Sequence, residues 1–451
     1  MCLGYASMSK ATARKFSRRD FIRLAAGTAA VGPFFGFPDR ALASQKTLKI
    51  GKWAHFTPEF DAWFEGLAKE WGQHYDTKVT VDHIPVEQVH ERAAAEVKAG
   101  KGHDVFMFPW PPAEYYQHVI DHGEIYQTVA QKYGGIDRMA HRSTFDRRTK
   151  KYFAFADSWM PAPLHYFEDY WTEVNAPMGP VHWDGLRSGT KRIREKLGIP
   201  CGLALTPTLE GNVTLYTLLI AFTSGTLDAA GRVILYNART VVALEYVKYL
   251  FQDARVPEQL TWGPSGNVRA MLARKTSATI NAISLLRAAE KENPELAKHI
   301  RLQPPLKGSN GVVAVPHVTN CSVVWNFARN QEGAKQFLAD LIGSSKAAYE
   351  KSEGCNLPFY QKTVPDLIVR LKNDARADPP YKYQELKDAL YWTHNLGVPG
   401  YATPAAMEVF NTFVIPRMFI SVVKGERSPE DAARAAETEV KRIAEKWKQI
   451  G

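Results

Sequence analysis

The stretch KTLKIGKWAHFTPEFDAWFEGLAKEWGQHYDTKVTVDHIPVEQVHERAAAEVKAGKGHDVFMF, residues 46–108, decides the fold. Lys46 to Trp53 alternates basic and apolar residues, with Leu48 and Ile50 on one face, and predicts a first strand. Thr57-Pro58 supplies an N-cap followed by proline at the first helical position, where a backbone N–H has no intrahelical partner anyway. Phe60, Trp63, Phe64, Leu67, Ala68 and Trp71 then recur at helical spacing, so one face of that helix turns to a core. Val79, Val81 and Ile84 predict a second strand. Pro85 opens a second helix with Val86, Val89, Ala93 and Val97 on one face, stopped by Gly100. Asp104-Val-Phe-Met-Phe108 is a short continuous apolar run, the pattern of a parallel strand covered on both sides. This order of strand, helix, strand, helix, strand predicts an α/β fold. Its right-handed βαβ sheet has its ligands beyond the carboxyl ends of the strands. The loops at those ends are Trp53-Ala54-His55-Phe56 and Pro109-Trp110-Pro111-Pro112, which places two tryptophans where a cleft would lie.

Downstream the pattern is less regular. Phe153 to Tyr166 carries Pro161 and Pro163 and reads as extended chain crossing between units. Helices are expected around 184–197, 210–223 and 239–251, with a turn at Asp228-Ala-Ala-Gly231 between the last two. Ser277 to Ser284 is strand-like, Gln303 to Gly311 is a loop, and Val312 to Val315 is another strand. Ser428-Pro429-Glu430-Asp431 opens a final helix with Ala433, Ala436, Val440, Ile443 and Trp447 on its apolar face. Trp63, Trp71 and Trp447 lie on such stripes and are assigned to the core. The chain shows no internal repeat, low-complexity tract or flexible linker, so two lobes would be joined by ordered crossings.

With 451 residues, 45% hydrophobic, 12% aromatic and 23% charged, the chain is long enough for two or three domains. The aromatic content excludes a disordered chain, and no apolar run reaches the ~18 residues of a membrane span. The formal net charge is +10, but half of it comes from residues 1–43, which hold seven basic residues and two acids. The remaining excess is too diffuse for a nucleic-acid footprint, and no nucleic-acid partner is expected.

Residues 17–23, Ser-Arg-Arg-Asp-Phe-Ile-Arg, precede an apolar stretch from Leu24 to Phe37 and then Ala41-Leu42-Ala43. A charged start, a short apolar segment and a small-x-small site describe a secretory signal peptide over residues 1–43. The arginine pair resembles the bacterial twin-arginine signal, which implies the twin-arginine translocase as an export partner and the periplasm as destination. Cys201, Cys321 and Cys355 remain after cleavage. One bridge between Cys321 and Cys355 is open in an oxidising compartment, and free buried thiols are the favoured alternative.

Catalytic signatures are missing. The chain has no H-E-x-x-H, no G-x-S-x-G and no C-x-x-C. Gly185-Leu-Arg-Ser-Gly189-Thr-Lys191 fails as a phosphate loop, because its glycines are one residue too close and its lysine does not follow the second glycine. His83, His90 and His103 lie near one another in sequence but read as solvated surface histidines. Tyr115-Tyr116 begins a helix and reads as packing. No metal site, cofactor or catalytic residue is expected, although the separation of carboxylate pairs in space decides glycoside hydrolysis and is not readable here.

Seven weak motifs stand in register along the mature chain. They are the strand ending at Trp53, Ala99-Gly-Lys-Gly-His-Asp104-Val105, Tyr152-Phe-Ala-Phe155 before Leu164-His-Tyr166, Pro180-Val-His-Trp183-Asp184-Gly185-Leu186, Phe222-Thr-Ser-Gly225 with Asp228, Pro304-Pro305-Leu-Lys-Gly308, and Glu332-Gly-Ala-Lys-Gln-Phe337-Leu338. In this order they resemble the family-1 extracellular solute-binding proteins of bacterial ABC importers, the group of the maltodextrin-binding proteins. The resemblance implies two α/β lobes, 44–157 plus 319–355 and 158–318 plus 356–451, joined by three crossings. It also implies a solute held in the cleft, closure of the hinge on binding, permease subunits as partners, a monomer and no enzymatic activity.

Sugars are held by stacking on aromatic rings and by pairing hydroxyls with polar side chains. Trp53, Trp110 and Trp159 are candidates because each sits at a predicted strand end or crossing, with His55 and Asp157 beside them. Glu210 and Asn212 follow from the resemblance, as they open a helix facing the cleft. Trp262, Asn281 and Tyr401 complete the set. Maltodextrin binders carry Ile-Asn-Gly-Pro-Trp where this chain has Ile280-Asn281-Ala282-Ile283-Ser284, with no aromatic residue for stacking. A carbohydrate or polyol is therefore the expected solute. The same fold binding glycerol phosphate, a polyamine or ferric ion is an alternative, as is a secreted saccharide-active enzyme.

Overall fold

A computed structural model describes residues 47–255 and 257–450, so the expected export signal in residues 1–43 lies outside the described residues. The opening elements follow the sequence pattern: β1 Thr47–Trp53, α1 Pro58–His74, β2 Lys78–Ile84, α2 Val89–Ala99 and β3 Val105–Phe108. The helix expected from Pro85 starts as a separate 3-10 turn, Val86–Gln88, and α2 closes on Gly100 in the left-handed conformation (φ 59°), which only glycine adopts without strain. β1 pairs in parallel with β2 along its whole length, from Thr47 beside Lys78 to Trp53 beside Ile84, and in parallel with β3 on its other edge.

Later strands complete two sheets. They are β4 Phe155–Met160, β5 Leu164–Phe167, β6 Ala278–Ile280, β7 Ile300–Gln303, β8 Val318–Val324 and β9 Leu357–Pro358. The larger sheet has the order β9-β4-β8-β3-β1-β2, and its second half is antiparallel: β8 runs against both β3 and β4. The smaller sheet, β6-β5-β7, is antiparallel throughout. Pro161-Ala-Pro163 carries the chain from one sheet to the other. Each sheet is the centre of one α/β lobe.

Helices fill in around them: α3 Trp183–Leu197, α4 Leu209–Ala221, α5 Ala238–Ala254, α6 Ser284–Glu292, α7 Gln331–Leu341, α8 Pro404–Asn411, α9 Val414–Val423 and α10 Pro429–Ile450. Their starts are chemically marked. Thr208 Oγ1 accepts from Gly211 N–H at α4, Asn237 Oδ1 accepts from Arg239 and Thr240 N–H at α5, and Ser428 Oγ accepts from Asp431 N–H at α10. Two expected strands are shorter than their apolar runs. Asn281 Oδ1 takes the Ala282 N–H and ends β6 before α6, and the expected strand 312–315 is broken into a short pairing of Gly311–Val312 with Lys307–Gly308 and a single bridge from Ala314 to Thr393. Trp71 is buried and donates Nε1–H to Asp340 Oδ2 (2.9 Å), while Trp63 and Trp447 pack half-buried against the same core.

Two sequence expectations are settled by burial. Cys201, Cys321 and Cys355 are free and buried. Of the histidines read as solvated, His83 and His90 are half-buried and His103 is buried: it is 5% exposed, with Nδ1 2.6 Å from Glu96 Oε1 and Nε2 3.0 Å from Asp82 Oδ2. The end of α2 brings Glu96 over the loop into β3, and this tertiary approach left no mark in the local pattern. His83 likewise faces Asp61 and Glu65.

One buried ion cluster ties distant segments together. Arg287 on α6 donates to Glu290 (2.8 Å), to the Glu353 carbonyl (2.7 Å) and to Asp374, and its guanidinium lies 3.8 Å from the Tyr383 ring centre. Arg287→Ala removes the guanidinium that two buried carboxylates share, leaving Glu290 to the Tyr383 hydroxyl and Asp374 to the half-exposed Arg376 at 3.3 Å. An expected loss of about 3–5 kcal/mol in urea-unfolding stability follows. A loss below about 1 kcal/mol, the range of exposed pairs, would show that the cluster contributes little.

Candidate functional site

A groove of about 380 Å³ opens between the lobes. One wall is built by the loops after β1 and β3 and the start of α2. The other is built by the N-terminus of α4 and the break between α8 and α9. The strand ends deliver Phe56 and Trp110, as the βαβ order requires.

Trp110 is the aromatic centre. Its ring stacks on His90 (centroids 5.1 Å apart, planes 15° apart) and meets the edge of Phe410 from α8 at 5.9 Å. His90 is held in turn, with Nδ1 2.9 Å from Glu114 Oε1, and the same oxygen accepts from Asn411 Nδ2 at 2.8 Å. Glu114 therefore clamps a residue of each wall. Across the groove, Asn212 Nδ2 donates to the Phe410 carbonyl (2.9 Å) and Glu210 Oε1 accepts the Ser265 N–H (3.0 Å). Ser265 (φ 56°) and Phe413 (φ 54°) both line the groove in the left-handed region. Such backbone costs a non-glycine residue about 1–2 kcal/mol, and it concentrates at functional sites.

Four groove-lining side chains carry buried polar atoms without a protein partner: Trp110 Nε1, His90 Nε2, Asn212 Oδ1 and Asn411 Oδ1. Leaving such groups unpaired costs about 1–3 kcal/mol each, so they form an unused hydrogen-bonding array beside aromatic surface. The charged residues of the lining are Glu87 and Glu210; no lysine or arginine is among them.

Of the residues expected from the sequence, the structure brings Trp110, Glu210 and Asn212 together here. Trp53 is 2% exposed, with Nε1 donating to Asn320 Oδ1 (3.0 Å), and Trp159 is wholly buried in the larger sheet. His55 packs on Phe60 (4.3 Å) with its ring nitrogens on Thr57 N–H and Asn356 Oδ1. Asp157 is enclosed beside Trp53 and the Lys52–Asp61 ion pair (2.6 Å). Burial pushes its carboxyl up to about 6 and lowers the Lys52 ammonium. The pocket there, about 30 Å³, has room only for about one water. Trp262 is half-buried near Arg255, Asn281 is buried against Asn267 and Tyr401 lines a different groove.

Sequence reasoning passed over Phe56, His90, Phe410, Asn411 and Phe413. Phe56 was within reach, since it ends the same loop as Trp53; its ring touches Trp53 edge-on (5.3 Å) and reaches the groove while Trp53 turns inward. The α8–α9 residues carry no local signal beyond the helix break.

No protein-family model and no curated protein matches the chain. Solved structures do. A sugar transporter protein from Arthrobacter chlorophenolicus A6 with bound laminaribiose superposes with a TM-score of 0.73 at 13% identity, over 88% of this chain and 99% of that one. The GacH receptor of Streptomyces glaucescens GLA.O, solved unliganded and with acarbose, gives 0.72 at 17% identity over 89% and 99%. An ABC transporter solute-binding protein from Agrobacterium radiobacter K84 in complex with ribitol gives 0.68 at 18% identity over 88% and 98%. Near-complete coverage of both chains at such low identity establishes the architecture, and this chain has the two-lobe fold of the periplasmic binding proteins.

Proposed function

We propose that the chain is the solute-binding component of an ABC importer, which holds a carbohydrate or polyol in the interlobe groove and hands it unaltered to the permease. The observation that carries this reading is the groove itself, where Trp110, Phe56 and Phe410 offer apolar ring surface and four unpartnered polar atoms stand beside them. Its volume, about 380 Å³, falls within the ~300–1,000 Å³ range of small-molecule sites. The bound laminaribiose, acarbose and ribitol of the similar structures support the same class of solute.

The reading includes export through the twin-arginine translocase to the periplasm and action as a monomer without catalysis. It also includes lobes at 44–157 plus 319–355 and 158–318 plus 356–451. Those three borders fall in or beside β4, β8 and β9, which are neighbours in one sheet, as a three-strand hinge requires.

A cationic solute such as a polyamine is the second reading, favoured by Glu87 and Glu210 facing a groove without basic residues. Phosphate-bearing solutes find no counter-charge there. Thermal-shift screening of the mature chain against sugars, polyols, glycerol phosphate and polyamines separates these. The expected result is a rise in melting temperature with a neutral polyhydroxylated compound and none with glycerol phosphate. A rise with charged compounds alone overturns the sugar reading.

A further inference from the structure

A second groove, about 410 Å³ and also walled by both lobes, lies at the opposite end of α8 from the first: Pro404 and Ala405 line it, whereas Phe410 and Asn411 line the solute groove. Its walls are the hairpin around Phe145–Tyr152, the turn at Asp228–Gly231, the chain around Tyr401 and the last turns of α10.

The charges of this groove do not balance. Arg147, Arg148, Lys150 and Lys448 line it, against Asp146 and Asp228. Both carboxylates are already engaged. Asp228 accepts from Ala230 N–H, Arg232 N–H and Arg232 Nε, and Asp146 accepts from Arg148 N–H and Thr149 Oγ1 and faces Arg148 Nε at 3.6 Å. Arg138, Arg142, Arg147 and Lys150 have no carboxylate partner among the described residues. Aromatic rings hold three of the arginines at this groove. Arg142 and Arg147 both lie against Tyr401 (5.7 and 5.6 Å), and Arg148 lies against Tyr116 (5.2 Å). Arg147 also donates Nη1–H to the Ala229 carbonyl (3.0 Å), which bridges hairpin and turn. Arg142 is half-buried, and burial together with Arg138 and Arg147 nearby weakens its hold on its proton.

Like charges gathered beside a cavity without counter-charge destabilise the fold, and such arrangements are kept where a ligand supplies the missing charge. A guanidinium laid on a ring keeps its N–H edge free, in the planar fork that matches an oxyanion. We propose that this second groove binds a small multivalent oxyanion, carrying phosphate or carboxylate groups, through Arg147, Arg148 and Lys150 with Arg142 behind them. The site is separate from the solute groove and of opposite charge preference.

Isothermal titration of the mature chain with pyrophosphate and with citrate, at ionic strength matched by sodium chloride, tests this. Saturable binding of at least one of the two is expected, pyrophosphate pointing to phosphate-bearing ligands and citrate to carboxylates. Arg147→Ala with Lys150→Ala is expected to weaken binding about tenfold or more, and Arg147→Lys to weaken it less, since it keeps charge but loses the fork. The double variant is expected to stay folded and to melt close to the parent, because both side chains are exposed and the lost Arg147 contacts with Ala229 and Tyr401 are set against relief of repulsion among the basic side chains. Absence of binding at millimolar pyrophosphate and citrate overturns the proposal, as does binding that the double variant leaves unchanged.

Discussion

Replacing Trp110 by alanine is expected to leave the chain folded and to reduce solute affinity about 100-fold or more. Trp110 is half-buried and its removal opens the groove rather than a closed core. Two contributions disappear together: the ring surface against which the solute stacks, and the Nε1–H donor that has no partner in the protein. At about 1–3 kcal/mol for the hydrogen bond and about 0.5–1.5 kcal/mol for the ring contact, the sum centres on about 3 kcal/mol, or two orders of magnitude in affinity. Trp110→Phe separates the two, because it keeps a ring and deletes the donor, and an intermediate loss is expected. Titration calorimetry with the strongest compound of the thermal-shift screen measures both. Affinity unchanged in Trp110→Ala would remove this groove as the solute site.

Acid is expected to unfold the protein from pH 6.5 downward, and steeply. Four histidines are buried in forms that cannot accept a proton. Burial pushes His55 and His165 down to about 3 and His122 and His317 down to about 4. For two of them the geometry shows why. His122 donates Nδ1–H to the Tyr152 carbonyl and accepts the Val324 N–H at Nε2 (2.9 Å), and His55 accepts the Thr57 N–H at Nδ1 (2.9 Å). A proton on either acceptor nitrogen would face an N–H group.

The folded pKa values of these histidines lie below the unfolded 6.5, so between the two the unfolded chain binds more protons. Stability is then fully present above pH 6.5 and falls as pH falls towards 4. Each group contributes about 3 kcal/mol over that interval, at about 1.4 kcal/mol per pH unit. Asp157 acts in the opposite sense. Its folded pKa of about 6 lies above the unfolded value, so protonation below pH 6 favours the folded state. One carboxyl does not offset four imidazoles. The unfolding free energy from urea titrations at pH 7, 6 and 5 is expected to fall by several kcal/mol in sum, and constant or rising stability would show that the buried rings accept protons without cost.

How much was legible follows from where each signal resides. The βαβ opening, the apolar face of α1 and the cap at Ser428 depend on neighbours a few residues away (Thr57, by contrast, precedes α1 without its side chain capping it), and spacing displays them directly. The same holds for the strand-end rule that placed Trp110 at a cleft. Trp53 obeyed the same rule and still turned inward, because Asn320 Oδ1 on β8 accepts its Nε1–H and the larger sheet closes over it. His90 was read as solvated because its partners, Trp110 and Glu114, are brought to it by β3 and the turn after it.

The sequence by itself determined the class of fold, the direction in which the first sheet would present its ligand, and the lack of known catalytic motifs, since all of these rest on periodicity and local chemistry. Only the tertiary structure decided which side chains share the groove. Phe56, Trp110, Asn212 and Phe410 come from four separate segments, and Tyr401 joined the arginines of the second groove instead. Such meetings depend on how two sheets and the break between α8 and α9 pack against one another, and packing over long sequence separations leaves no periodic trace in the chain.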